Sequence, residues 1–89
     1  VKIGSNVTIA AQSGLAGLVN VQDNVCINGQ VGVAPLINIG KGAQINGKSL
    51  VHCDIKDYEI WSGNPAMAHF TYLRAYSYLK RKFARKINE

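Results

Sequence analysis

Residues 1–17, VKIGSNVTIAAQSGLAG, bring back an aliphatic side chain at Ile3, Ile9 and Leu15, with Val7 and Ser13 two places before the next return. An amphipathic α-helix repeats its apolar stripe every three to four residues and a half-buried strand every two, so a beat of six belongs to neither. Steps of six from Ile3 run on through Val21, Ile27, Val33, Ile39, Ile45 and Val51 with no insertion or deletion. Four residues after each of these stand Val7, Ser13, Val19, Val25, Val31, Ile37, Ala43, Ser49 and Ile55, all small or aliphatic. The positions between are rich in Gly, Asn, Asp and Gln, which tolerate turns and positive φ.

A strand of a few residues followed by a sharp corner cannot bury an apolar face by itself, so such repeats must stack into a solenoid with a continuous interior. With three hexapeptides per triangular coil, residues 18 apart lie over one another, and like falls on like: Gln12 over Gln30, Asn20 over Asn38, Asn28 over Asn46, Gly14 over Gly32. The interior columns are then Ile3/Val21/Ile39, Ile9/Ile27/Ile45 and Leu15/Val33/Val51. About three coils cover residues 3 to 56, and the hexapeptide region is taken as 1–56.

After Val51 the register fails in HCDIKDYEIWSGNPAMAHF, and the solenoid is expected to end there. Tyr58 and Trp61 bring bulk and Gly63, Asn64 and Pro65 a turn, which suits a capping loop over 57–69 that covers the last apolar layer and blunts its strand edges. Residues 70–89 are predicted to form a helix. Ala75, Leu79, Phe83 and Ile87 recur at four-residue steps beside Leu73 and Tyr76, and this stripe is expected to pack on the coil or on a neighbouring subunit.

The net charge of +5 in 89 residues is lopsided. Acids and bases cancel over residues 1–59, whereas 70–89 hold Arg74, Lys80, Arg81, Lys82, Arg85 and Lys86 against Glu89 alone. Such a run is either a solvated face that also favours the helix C-terminus or a docking patch for an acidic partner. No nucleic-acid-binding motif accompanies the charge. No stretch approaches the roughly 18 apolar residues of a membrane span, and no secretory leader is visible. Cys26 and Cys53 stand in no metal-binding pattern and read as small packed hydrophobes in a reducing compartment. No metal site is expected.

The six-residue period with these residue types resembles the hexapeptide-repeat acyltransferases, which implies a mainly β chain: a left-handed parallel β-helix followed by a C-terminal α-helix. The hand comes from the resemblance alone and opposes the usual crossover rule. Within that superfamily VKIGSNVTIAAQSGLAG, INGQVGVA, INIGKGAQING and WSGNPAM resemble the C-terminal part of the UDP-3-O-acylglucosamine N-acyltransferases of lipid A synthesis. The resemblance implies transfer of a 3-hydroxyacyl chain from acyl carrier protein to the 2-amine of a UDP-sugar lipid precursor, in a bacterial cytoplasm. It further implies a homotrimer with active sites between neighbouring β-helices. No bound cofactor is implied; the phosphopantetheine of the carrier protein serves as donor arm.

Such a transfer needs a base for the attacking amine and donors for the thioester oxyanion. The family's base is a histidine of an Ala-His-Asn phrase lying before the segment that matches Val1, so no catalytic residue is assigned here and the chain is expected to be inactive alone. Neither His52 nor His69 matches that position, and each reads as a surface or packing residue. His52, just after Val51, is placed to line the far end of an acyl groove. Gly17 matches a family glycine that approaches the donor arm, or is a corner glycine. Arg74, Lys80, Arg81, Lys82 and Arg85 are the candidates for docking the acidic carrier. The chain departs from the family at Pro35-Leu36, where a Gly-His pair is usual, and proline removes a backbone donor. Other hexapeptide acyltransferases, acting on oxygen or using coenzyme A, and a non-enzymatic trimeric β-helix module remain alternatives.

Overall fold

The computed structural model describes residues 1–83. Each hexapeptide forms a two-residue strand and a corner: β1 (Lys2–Ile3), β2 (Thr8–Ile9), β3 (Gly14–Leu15), β4 (Asn20–Val21), β5 (Cys26–Ile27), β6 (Gly32–Val33), β7 (Asn38–Ile39), β8 (Gln44–Ile45) and β9 (Leu50–Val51). They stack in parallel as three faces of a prism, β1-β4-β7, β2-β5-β8 and β3-β6-β9, with partners 18 residues apart: Ile3↔Val21↔Ile39, Ile9↔Ile27↔Ile45 and Leu15↔Val33↔Val51. These are the columns the sequence predicts. Ile27, Ile39, Ile45 and Val51 are fully enclosed, together with Val19, Val25 and Val31 of the second series. Ile3 and Ile9 are 51% and 37% exposed, because no further coil covers the outer side of the first layer among the described residues.

The corners show what the period demands of the backbone. Asn6, Gln12, Leu18, Asn24, Gln30, Leu36, Gly42 and Lys48, one in every six residues, have φ between 58° and 69°. One left-handed residue per hexapeptide turns the chain onto the next face. From the second coil onward its N–H donates to a corner carbonyl of the preceding coil, as in Gln30 N to Ala11 O (3.0 Å) and Leu36 N to Gly17 O (3.0 Å). Side chains seal the same corners: Asp23 Oδ1 accepts from Ser5 N, Asp57 Oδ1 from Lys41 N, and Gln30 Nε2 donates to Gln12 Oε1. Gly40 is required by contact, since a Cβ there would overlap the backbone of Lys56 and Asp57.

The expectation that the solenoid ends after Val51 is corrected. The 18-residue register ends, but the coil continues with a corner shortened by two residues. Ile55 pairs with Ile39 rather than continuing the second series, and β10 (Ile60–Ser62) pairs in parallel with β8, Trp61 lying over Ile45. On the third face the shortening is greater, and Leu50 N donates to Gly63 O where Gly32 N donates to Ser49 O. The stretch 57–69 thus holds two strands. β11 (Met67–Ala68) returns antiparallel on β10 and covers the edge that β10 would otherwise present.

From β11 the chain enters α1 (His69–Phe83), uninterrupted by Gly or Pro. Of the two covers expected for its apolar stripe, the coil or a neighbouring subunit, the coil is not one: no residue of α1 is buried, and Leu73, Tyr76, Leu79 and Phe83 are 40%, 48%, 51% and 65% exposed. The helix meets the solenoid only at its root, through β10 and β11, with the Tyr72 ring against Gly63. Ile87, Arg85 and Lys86 lie outside the described residues, as does the rest of the predicted helix to residue 89.

Candidate functional site

Gly17 sits at the corner between the third and first faces. Its φ is not left-handed and an added Cβ would meet nothing within 4 Å, so neither corner geometry nor packing within the chain requires glycine there. Pro35 occupies the same place one coil later. The equivalent corner residues Ala11, Gly17, Gly29 and Gly47 donate no backbone-to-backbone hydrogen bond among the described residues, so the proline breaks no rung of the ladder. His52 is exposed and follows Ala16 and Ala34 in an outward column of the third face. Gly17 and His52 therefore border one face but lie two coils apart, about 10 Å along the axis. They are not in contact range of one group the size of a thioester.

The outward positions of that face are Gly14, Ala16, Gly32, Ala34, Leu50 and His52, with no carboxylate, lysine or arginine. It is nearly bare backbone over two coils. The corner beside it carries Leu18 and Leu36, 74% and 71% exposed.

The proposed docking residues divide. Arg74 and Arg81 share one side of α1 with Phe70 and Ser77, and these four with Leu73 line a shallow groove. Lys82 points elsewhere at helical spacing. Lys80 Nζ lies 5.6 Å over the ring of Tyr76, which itself stacks on Tyr72, so a cation–π contact holds that charge against the apolar stripe. α1 has four basic residues and no acidic one, which makes its surface electropositive whichever side is presented.

Sequence reading missed a polar relay at the root of α1. Gln44 Nε2 donates to Asn46 Oδ1 (3.0 Å), Asn46 Nδ2 donates to Ser62 Oγ (2.7 Å), and Ser62 Oγ lies 2.7 Å from His69 Nδ1. Asn46 Nδ2 also lies 3.4 Å from His69 Nδ1, so the serine hydroxyl and the amide converge on one ring nitrogen, and the direction of the Ser62–His69 bond follows from the imidazole tautomer. A serine hydroxyl within hydrogen-bond distance of a histidine nitrogen has the form of an activated nucleophile. Here Ser62 is buried, 4% exposed, so no acyl group reaches it and the relay acts as a pin between the last coil and the helix. No spacing in the sequence announces it, since the shortened corners bring these residues into line. Among the described residues no three His, Cys, Asp or Glu side chains converge as metal ligands, and no helix is long and apolar enough to cross a membrane.

No family model matches the chain. Over its whole length, however, the chain is 57% identical, across 91 aligned positions, to the UDP-3-O-acylglucosamine N-acyltransferase of Prochlorococcus marinus strain MIT 9515. It is equally similar to the enzyme of that name from Prochlorococcus marinus subsp. pastoris strain CCMP1986 / NIES-2087 / MED4. These relatives carry the name of the family that the sequence motifs resemble. The chain spans about a quarter of their length, 26% of each.

Proposed function

We propose that this chain is the part of a UDP-3-O-acylglucosamine N-acyltransferase that builds the far end of the acyl site and presents the docking helix. The whole-length similarity to two enzymes of that name carries the reading. In the reaction the 2-amine nitrogen attacks the thioester carbonyl of a 3-hydroxyacyl chain carried by acyl carrier protein. An amide C–N bond forms, the C–S bond breaks, the phosphopantetheine thiol departs, and the amine proton passes to a base that this chain does not supply. The chain alone is therefore inactive, and the working enzyme is a cytoplasmic homotrimer.

Each part of the chain has a role in that scheme. The open side of Gly17 lets the phosphopantetheine arm approach the backbone closely. His52 borders the distal end of the acyl path. Arg74, Lys80, Arg81 and Lys82, with Arg85 further along the sequence, attract the acidic carrier, and the uncovered apolar stripe of α1 gives it a surface to settle on.

The test is an assay of the intact gene product with 3-hydroxyacyl carrier protein and the UDP-sugar amine. Amide formation is expected, and no transfer with any acyl length overturns the assignment. Reversing Arg74 and Arg81 to glutamate should raise KM for the carrier-borne donor about tenfold or more with kcat little changed. An unaffected KM, with coenzyme A thioesters serving equally well, would instead indicate an enzyme that does not use the helix for its donor.

A further inference from the structure

Asparagine is followed by glycine twice in the chain, at Asn28-Gly29 and Asn46-Gly47, and the 18-residue register stacks the two pairs at the same corner in successive coils. Asparagine is a labile side chain, and glycine has no Cβ to keep its nitrogen away from the amide before it. The corner gives both pairs the same backbone surroundings. Gly29 N and Gly47 N find no acceptor among the described residues, so neither nitrogen has a hydrogen bond to give up before it reacts. The carbonyl of each Asn–Gly peptide accepts a serine hydroxyl, Ser13 Oγ to Asn28 O at 2.8 Å and Ser49 Oγ to Asn46 O at 2.6 Å. A donor on that oxygen stabilises the negative charge left when the peptide N–H proton departs. The two side chains differ. Asn46 is held at both ends by the relay, its Oδ1 accepting from Gln44 Nε2 and its Nδ2 donating to Ser62 Oγ. Asn28 has one weak partner, the Cys26 thiol at 3.6 Å from Oδ1, and its Nδ2 bonds to nothing among the described residues.

We infer that Asn28-Gly29 is a site of spontaneous deamidation, and that the relay protects the stacked pair Asn46-Gly47 from the same reaction. The Gly29 nitrogen gives its proton to solvent and attacks Asn28 Cγ. A C–N bond forms, closing a succinimide ring, the Cγ–Nδ2 bond breaks, and the side-chain nitrogen leaves as ammonia. Water then opens the ring at either carbonyl, leaving aspartate or isoaspartate. The second product carries an extra carbon in its main chain, at a corner flanked by two rungs between coils: Gln30 N donates to Ala11 O (3.0 Å) and Lys48 N to Gly29 O (2.9 Å). Both rungs must shift, in a repeat whose period tolerates no insertion. Solvent access and side-chain restraint make opposite demands here. Gly47 is exposed and Gly29 half-buried, so access alone favours reaction at Asn46, whereas freedom of the amide favours Asn28.

The test ages the intact protein carrying this chain in mildly alkaline buffer and follows both asparagines by peptide mapping in the mass spectrometer, with isoaspartate read by methyltransferase labelling. In the folded protein Asn28 should convert about tenfold faster than Asn46, because attack needs the amide carbon free to align on the nitrogen. In urea the two sites, Ile-Asn-Gly-Gln and Ile-Asn-Gly-Lys, should convert at similar rates. A native ratio no larger than the ratio in urea, or an Asn28 that stays intact in the folded protein, overturns the inference. Gln44→Ala then frees Asn46 Oδ1 and should speed conversion at Asn46 about threefold, with Asn28 of the same molecule unchanged. A rise at both sites or at neither overturns the protective role of the relay. Gly29→Ala, whose Cβ would meet only Ala11 O at 3.6 Å, should slow conversion at Asn28 about tenfold; an unchanged rate overturns the route through the glycine nitrogen. If a variant fails to fold, the comparison of the two sites in the unaltered protein decides. No readout uses substrate, so the outcome is independent of acyl transfer.

Discussion

The solenoid and the helix that leaves it treat their apolar residues in opposite ways. In the coils each aliphatic column is closed by the coil before and the coil after: Ile39 lies between Val21 and Ile55 and is wholly enclosed. In α1 the apolar stripe has the right spacing but no cover, and Leu79 and Phe83 remain more than half exposed. The difference shows where each region's stability comes from. A repeat supplies its own neighbour, whereas a single amphipathic helix needs another surface and here touches the chain only at its root.

The largest effect that distinguishes the two regions is expected at Ile39. Ile39→Ala should cost about 2–5 kcal/mol in urea denaturation, because two flanking layers lose contact with it at once. A cost close to zero would mean that the layers do not support one another. Gly40→Ala tests the closeness of the backbones at the corner rather than the core. It should destabilise by about 1–3 kcal/mol, since a Cβ there meets the main chain of Lys56 and Asp57, which cannot swing away, as well as the Asp57 carboxylate. Gly17→Ala, at an open corner, should leave the denaturation midpoint unchanged and lower only acyl transfer in the intact enzyme.

At the junction of the regions, Ser62→Ala removes the middle of the relay and leaves Asn46 Nδ2 and His69 Nδ1 without their short partner. About 1–2 kcal/mol should be lost, and amide exchange should quicken first in β10, β11 and the opening turn of α1. Uniform protection along the chain would show that the helix is held some other way. The smallest effect belongs to the stripe itself: Leu79→Ser should shift the isolated chain's stability by no more than about 0.5 kcal/mol, while raising KM for the carrier-borne donor in the complete enzyme. A large loss in the isolated chain would place Leu79 against the solenoid and erase the contrast between the regions.

Much of this was legible beforehand because a period of six held over nine positions leaves no freedom in register, and the pairs Asn20/Asn38 and Gly14/Gly32 fix the coil at three hexapeptides. The continuation past Val51 was not legible. A corner two residues shorter moves Ile55 from one column to another, and the next layer is made by Trp61, which carries no mark of an aliphatic column. The relay from Gln44 to His69 depends on that same shift and was hidden with it. For α1, spacing says which side wants to be covered but nothing of what covers it. At Gly17 the sequence left a corner glycine and an open approach equally admissible, and the left-handed region settles only where the turning residues are: one place further on, at Leu18.

The rungs that join successive coils have a kinetic consequence. Each links positions about one coil apart, and those to the last partial coil are shorter still. Lengthening the solenoid would add contacts without lengthening the loop that any contact must close, so mean sequence separation stays fixed while the chain grows. Loop-closure entropy, which slows ordinary β-sheet proteins as strands from distant segments find each other, is incurred once for the first coil and then repeated in equal small steps. Folding here should behave as the growth of a one-dimensional stack, its rate set by nucleating two adjacent coils rather than by the number of coils that follow.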